Sequence, residues 1–203
     1  MPAYNAEKTL ERTFADVPKG DVDDIILVDD VSRDRTVEIA RRLGIHTVVH
    51  ERNRGYGGNQ KTCYATALAR GADVVVMVHP DHQYDPTVIP HLLQALTSGD
   101  YDAAFGSRML GGRPIQGGMP KWKYLGNILL TAIENATFLI YLTEYHSGFR
   151  AYTRKYLERF EAALEKANNA AALEGAMKAA YPNAGLDIAL DIGSKVATGE
   201  MKW

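Results

Sequence analysis

The sequence predicts an α/β domain, a layered arrangement built on a mostly parallel sheet with helices on both faces. Strand-like apolar runs and amphipathic helical segments alternate from residue 24 to residue 105. The run Val74 to Val78 is apolar without alternation and rich in β-branched residues, as in a strand buried on both faces. Each strand-like run ends in a polar cluster, and open parallel sheets bind ligands beyond the carboxyl ends of their strands.

The chain has 203 residues, enough for one such domain with a sizeable core. Its apolar content is 46% and its charged content 24%, which excludes a disordered chain. A net charge of −2 gives no global attraction to nucleic acid. The single cysteine, Cys63, excludes an internal disulfide and suits a reducing, cytoplasmic compartment. No signal-like apolar segment opens the chain. The most apolar long segment, Leu125 to Leu142, is interrupted by Asn127, Glu134 and Asn135. It makes a poor membrane span but could lie as a helix in the interfacial plane.

Element by element, Glu7 to Val17 has helical spacing through Leu10, Phe14 and Val17. Asp24 to Val28 reads as a strand running into Asp29 and Asp30. Ser32 is the expected N-cap of the next helix, with Asp34 in its first turn and Gly44 at its end. Ile45 to His50 is the second strand. Asn53 to Asn59 reads as a glycine-rich turn leading into a helix to Arg70, with Cys63 and Ala67 on a packed face. After the central strand, Asp85 and Pro86 suit a helix start, and Val88, Ile89, Leu92, Leu93 and Leu96 form one apolar face. Asp102 to Phe105 is a short strand ending in Gly106-Ser-Arg108. Residues 109 to 121 form a glycine- and proline-rich loop, and an amphipathic segment runs from Trp122 to Leu142. Thr143 to Arg150 returns towards the sheet, and Thr153 to Ala180 is alanine-rich and helical. The expected organisation is a catalytic domain over 1–156 and an atypical helical extension of the same domain over 157–203.

The polar clusters carry the chemistry. Asp81 and Gln83 are two apart, so in extended backbone they project to the same side. Hard oxygen ligands at a strand end suit Mg2+ or Mn2+ when a substrate phosphate completes the shell. Capping explains Asp85 and Pro86 but leaves Asp81 and Gln83 unexplained. Asp29 and Asp30 could accept hydrogen bonds from a nucleobase or ribose, or serve a helix start. Gly55, Gly57 and Gly58 let backbone approach a ligand, although an ordinary loop would use them as well. They match neither the Walker nor the dinucleotide spacing. Arg108 could grip phosphate with its two-pronged guanidinium. Arg150, Lys121 and Lys123 are further cations, the two lysines being equally at home on a solvated surface. His46, His50, His82, His91 and His146 have no metal spacing, and His79 suits packing or the periphery of a metal shell.

Six motifs in order carry a resemblance: Pro2-Ala-Tyr-Asn5; Val28-Asp-Asp-x-Ser-x-Asp-x-Thr36; Asn53 with Gly55, Gly57 and Gly58; Asp81-x-Gln-x-Asp-Pro86; Gly106-Ser-Arg108; and Ser147-Gly-Phe-Arg-Ala151. Over residues 2–156 the chain resembles family 2 glycosyltransferases of the GT-A fold, and most of all the polyprenyl-phosphate (dolichyl-phosphate) sugar transferases. The resemblance implies that Pro2, Ala3 and Tyr4, with Asp29 or Asp30, hold the nucleoside of a UDP- or GDP-sugar. It implies that Asp81 and Gln83 bind the divalent ion on the diphosphate and that Arg108 faces the phosphates. The segment around Lys123 and Asn127 resembles an interfacial helix receiving a lipid phosphate at a membrane surface. The implied reaction is an inverting sugar transfer, with Arg108, Lys123 and Arg150 supplying cations for a phosphate acceptor. A hydroxyl acceptor would instead require a carboxylate base, for which Glu144 is the candidate. The departures are specific. His79 stands where the family's first Asp-x-Asp carboxylate would be, and Val31 where its turn glycine would be. Ala6 takes the place of an acidic residue, with Glu7 one step late. The chain begins inside the usual first strand, and no late Glu-Val-Pro strand follows residue 160. These departures leave open a non-catalytic nucleotide-sugar-binding module. A nucleotidyltransferase fits less well, because no glycine-rich, lysine-bearing N-terminal loop is present.

Overall fold

The structure is a computed structural model that describes residues 1–110, 114–116, 118–138, 141–145, 147–182 and 198. His146 and, apart from residue 198, the tail from 186 lie outside the described residues. The chain divides into two units, one of residues 1–106 with 148–156, the other of residues 107–147 with those from 157 onward.

The first unit holds two three-stranded sheets. In one, β1 (Pro2–Ala3), β2 (Ile26–Asp29) and β3 (His46–Val49) run parallel in that order. The other has the order β4 (Val74–Met77), β6 (Arg150–Thr153), β5 (Ala103–Phe105), with β6 antiparallel to both neighbours. β4 and β5 therefore point the same way and end at one edge. This corrects the picture of a central strand among parallel neighbours and covered on both faces. Val74, Val75 and Val76 are half-buried, and the run becomes fully buried at Met77 and Val78. An apolar run reports burial but not the direction of the partner strand. Ala151 sits between Val76 and Ala104 and is completely buried, a position that suits a small side chain.

Four helices flank these sheets in sequence: α1 (Leu10–Asp16), α2 (Thr36–Arg42), α3 (Gly55–Ala69) and α4 (Ile89–Thr97). α4 buries Ile89, Leu92 and Leu96 in the main core with Leu27, Val78 and Phe149. Each such side chain contributes about 1.5–3 kcal/mol by leaving water. Asp85 caps the 3-10 turn before α4 by accepting the Thr87 N–H, with Pro86 at the first position, as expected. Cys63 and Ala67 are both buried on one face of α3.

Two helix starts differ from expectation. α2 begins at Thr36, and Ser32 is not its cap. Instead Asp34 Oδ1 accepts the Thr36 N–H at 3.0 Å and Oδ2 accepts the Glu7 N–H at 3.0 Å, while Ser32 Oγ accepts the Asn5 N–H at 2.8 Å. The turn after β2 is thereby tied to the turn after β1. Gly55, Gly57 and Gly58 lie in the first turn of α3 rather than in a loop before it.

In the second unit, α5 (Lys121–Phe138) is the long helix. The alanine-rich region forms two helices, α6 (Arg154–Lys166) and α7 (Ala170–Ala180). The break falls before Asn169, whose side chain accepts the Ala172 N–H at 2.8 Å and so starts α7. Among the described residues, no helix is long and apolar enough to cross a membrane.

Candidate functional site

The ends of β1, β2 and β4 build the site. Asp29 and Asp30 close β2 and are both buried. Asp29 Oδ2 accepts the Ser32 N–H at 2.9 Å, whereas Oδ1 is buried with no hydrogen-bond partner among the described residues. Such an acceptor is uncommon in folded proteins. Between these groups Val31 is held at φ 66°, the left-handed region that β-branched residues avoid. Asp30 Oδ1 accepts the Arg54 N–H at 2.8 Å, and Asn53 Nδ2 donates to the Asp30 carbonyl at 3.2 Å. The acidic turn and the glycine-bearing start of α3 thus meet. Gly55 takes φ 72°, and nothing lies within 4 Å of where a Cβ would stand on Gly55 or Gly57.

Pro2 and Ala3 are buried strand residues, and Tyr4 and Asn5 turn outward. Asp30 N–H donates to the Ala3 carbonyl at 2.9 Å, and Asn59 Nδ2 donates to that same oxygen at 3.3 Å. Asn59 is a buried anchor that sequence reading missed; a lone polar residue on a helix carries no spacing signal. A cleft of about 190 Å3 opens between Pro2, Tyr4, Asn5 and Thr9 on one side and His79 and Asp81 on the other. The turn after β1 therefore touches the acidic turn through Asn5 and the β4 loop through the cleft.

The β4 loop corrects one expectation. Asp81 and Gln83 are not on one side of an extended strand: Asp81 Oδ1 accepts the Gln83 N–H at 3.0 Å, and His82 between them has φ 57°. His82 Nε2 lies 2.7 Å from Asp16 Oδ2, fastening the loop to α1. His79 stacks on Tyr56 with centroids 5.4 Å apart, and its Nε2 lies 3.1 Å from the Tyr56 hydroxyl. Burial pushes the His79 imidazole below its ordinary pKa, an effect that the Asp81 carboxylate opposes. Tyr84 Oη accepts the Gly148 N–H at 2.8 Å, and the Phe149 carbonyl accepts the Gly106 N–H at 2.8 Å. These bonds stitch the ends of β4 and β5 to the start of β6. Arg150, at that start, lies over the Phe105 ring at 5.8 Å. Burial opposes its charge, but the neighbouring Tyr152 phenol holds its pKa above the ordinary value.

For a divalent ion, this donor set offers the exposed Asp81 carboxylate. Among the described residues, no group of three His, Cys, Asp or Glu side chains could hold a metal. One carboxylate suits Mg2+ or Mn2+ when substrate phosphate oxygens supply much of the shell.

The second unit holds its own polar centre. Glu144 is fully buried at its side chain and pairs with Arg108. Oε2 accepts the Arg108 backbone N–H at 2.8 Å, and Oε1 accepts Arg108 Nε at 2.9 Å and Asn127 Nδ2 at 3.2 Å. Both carboxylate oxygens of Glu144 are thus engaged, and the pair holds the Arg108 guanidinium in place. Lys123 is exposed and stands 5.6 Å from the Trp122 ring centroid.

Comparison with known proteins agrees with these motifs. Residues 1–160 match the profile described as Glycosyl transferase family 2. The UDP-N-acetylglucosamine–dolichyl-phosphate N-acetylglucosaminyltransferase of Methanococcus voltae is 30% identical over 178 residues, covering 78% of this chain and 69% of that protein. The dolichyl-phosphate hexose transferase of Haloferax volcanii is 32% identical over 164 residues, covering 79% and 68%. Glucosyl-3-phosphoglycerate synthase from Mycobacterium tuberculosis, solved with Mn2+, UDP-glucose and phosphoglyceric acid, superposes with a TM-score of 0.56 at 22% identity, covering 78% of this chain and 56% of that one. The chain thus spans little more than half to about two thirds of the length of these proteins. A profile match across most of the chain, relatives at this identity and a shared GT-A architecture together make it a member of glycosyl transferase family 2, close to the dolichyl-phosphate sugar transferases.

Proposed function

We propose that this chain takes part in an inverting transfer of a sugar from a UDP- or GDP-sugar to a polyprenyl phosphate. The observation that carries the reading is that the turn after β1 meets two others: Tyr4 and Asn5 line one cleft with His79 and Asp81, and the same turn is hydrogen-bonded to the acidic turn through Ser32 and the Asp30 N–H. Tyr4 offers an exposed ring, and Asp29 and Asp30 offer acceptors, for the nucleoside. Asp81, aided by Gln83, would hold Mn2+ or Mg2+ against the diphosphate; the bound ion would neutralise charge developing on the leaving group. Arg150 in the first unit would supply a cation for a phosphate group, as Arg108 and Lys123 would in the second. A phosphate monoester has a second pKa of about 6 and is already largely an anion at neutral pH, so no strong base is required. The engagement of Glu144 by Arg108 and Asn127 supports that choice of acceptor over a hydroxyl.

The lipid reading draws on α5. Trp122, Leu125, Ile128, Leu129, Leu130 and Ile133 are exposed, with Lys121 and Lys123 at one end. An apolar face flanked by lysines and a tryptophan suits a helix lying in a membrane interface, which would make the protein peripheral at the cytoplasmic face. We take residues 1–156 as the transferase domain and 157–203 as its extension.

A second reading, a nucleotide-sugar-binding module without turnover, is favoured by His79 in the place of a carboxylate. Calorimetric titration with UDP and GDP, with and without Mn2+, paired with a transfer assay to a polyprenyl phosphate, separates the two. Transfer supports the enzyme; binding without transfer supports the module; no binding of either nucleotide refutes both. Asp81→Asn should remove the Mn2+-dependent part of the affinity, and undiminished Mn2+ dependence would exclude Asp81 as its ligand.

A further inference from the structure

His50, at the end of β3, has no place in the chemistry above, and its side chain is 3% exposed. Its Nδ1 lies 2.8 Å from Asp30 Oδ1. A carboxylate only accepts, so Nδ1 carries the proton of that bond. Its Nε2 lies 2.9 Å from Thr62 Oγ1, on the inner face of α3, and its backbone N–H donates to the Asp29 carbonyl at 3.0 Å. Asp30 Oδ1 therefore receives two donors, His50 and the Arg54 N–H, from two different elements. Among the described residues, Asp30 Oδ2 accepts no hydrogen bond, and it is not among the fully enclosed atoms left without a partner. Two donors on one oxygen fix the carboxylate plane and so the direction in which the other oxygen points.

We infer that His50, braced by Thr62, is a positioning residue that clamps Asp30 so that Oδ2 meets an N–H or O–H donor on the nucleoside. The inference rests on the donor-site reading above. With both nitrogens engaged the imidazole is buried without an unmet polar group, and the satisfied network orients the carboxylate in a way an apolar ring could not. Here it removes the freedom of a ligand-facing carboxylate before the ligand arrives, which lowers the cost of binding.

The test is a double-mutant cycle on UDP and GDP affinity, read by calorimetry in Mn2+ with the whole chain. The wild type is titrated first; if it binds neither nucleotide, the donor-site reading fails and this inference with it. If it binds, His50→Phe should weaken affinity on the order of tenfold, the scale of one hydrogen bond to a charged group. His50→Asn, which keeps a donor near the Nδ1 position, should recover most of that loss. In an Asp30→Ala background, His50→Phe should cost nothing further, because its effect runs through Asp30. Full affinity in His50→Phe, or a loss that adds undiminished to that of Asp30→Ala, overturns the inference and leaves the donor site standing. Should His50→Phe fail to fold, Thr62→Val decides: a several-fold weakening that vanishes without Asp30 supports the clamp, and wild-type affinity overturns it.

Discussion

Replacing Val31 by glycine should make the protein more stable, although it removes a side chain. Val31 sits at φ 66° in the turn after β2, and its side chain is 38% exposed and belongs to neither apolar cluster. The left-handed conformation costs a residue with a Cβ about 1–2 kcal/mol, and a β-branched one lies at the upper end. Glycine escapes that cost but loses about 0.5–1 kcal/mol of extra chain entropy on folding. The difference is a net gain of about 1 kcal/mol, or roughly 2–4 °C in Tm for a chain of this size. Urea unfolding of wild type, Val31→Gly and Val31→Ala measures it. Alanine keeps the Cβ and should gain little. A Val31→Gly no more stable than wild type would refute the strain argument. So would a Val31→Ala that gains equally, because the benefit would then come from losing the isopropyl group and not from the backbone.

Other outcomes follow from the same geometry. A Cβ on Gly106 would stand 2.6 Å from Phe149 Cδ1, so Gly106→Ala should destabilise by about 1–3 kcal/mol; unchanged unfolding would mean the ring has room to move. His79 is half-buried with its pKa lowered from 6.5, so the unfolded chain takes up that proton first. Its contribution to stability is full above pH 6.5 and declines as pH falls from there through the lowered value. His79→Gln should flatten the stability–pH curve in that window, and parallel curves would count against it. On α5, Leu129→Glu should reduce binding to anionic vesicles several-fold while leaving UDP affinity unchanged; equal vesicle binding would remove that face from the lipid reading.

Where sequence reading succeeded, the signal was local. Ile89, Leu92 and Leu96 repeat at helical spacing and are buried together, and Asp85 caps through the Thr87 N–H two residues on. Where it failed, the cause lay far along the chain or in a single torsion. β6 is four residues opening on an arginine, with no alternation to distinguish it, and it exists because β4 and β5 leave a slot for Ala151. Asp81 and Gln83 follow a period-two argument that holds only in extended backbone, and the positive φ of His82 breaks it. Ser32 is a good N-cap residue whose hydroxyl is taken by Asn5, 27 positions away. Asn59 and His50 find their partners across 56 and 20 positions, distances at which no spacing rule operates.

The helix α5 joins these two lessons. Its sequence reads as a failed membrane span because Asn127, Glu134 and Asn135 interrupt the apolar run. Those residues, with Thr131, are on its buried or half-buried side. Asn127 donates to Glu144, Thr131 donates to Asn127 Oδ1, and Asn135 exchanges two hydrogen bonds with the Leu142 backbone while accepting one from Tyr145. The apolar residues are the ones turned out. An ordinary surface helix is arranged the other way, apolar inward and polar outward. Leaving side chains such as Leu125, Leu129 and Ile133 in water forgoes about 1.5–3 kcal/mol each, a penalty that a covering apolar phase would remove. The interruptions that disqualify the segment as a span are therefore what anchor it to its own unit, leaving Trp122, Leu125, Leu129 and Ile133 exposed on the other side.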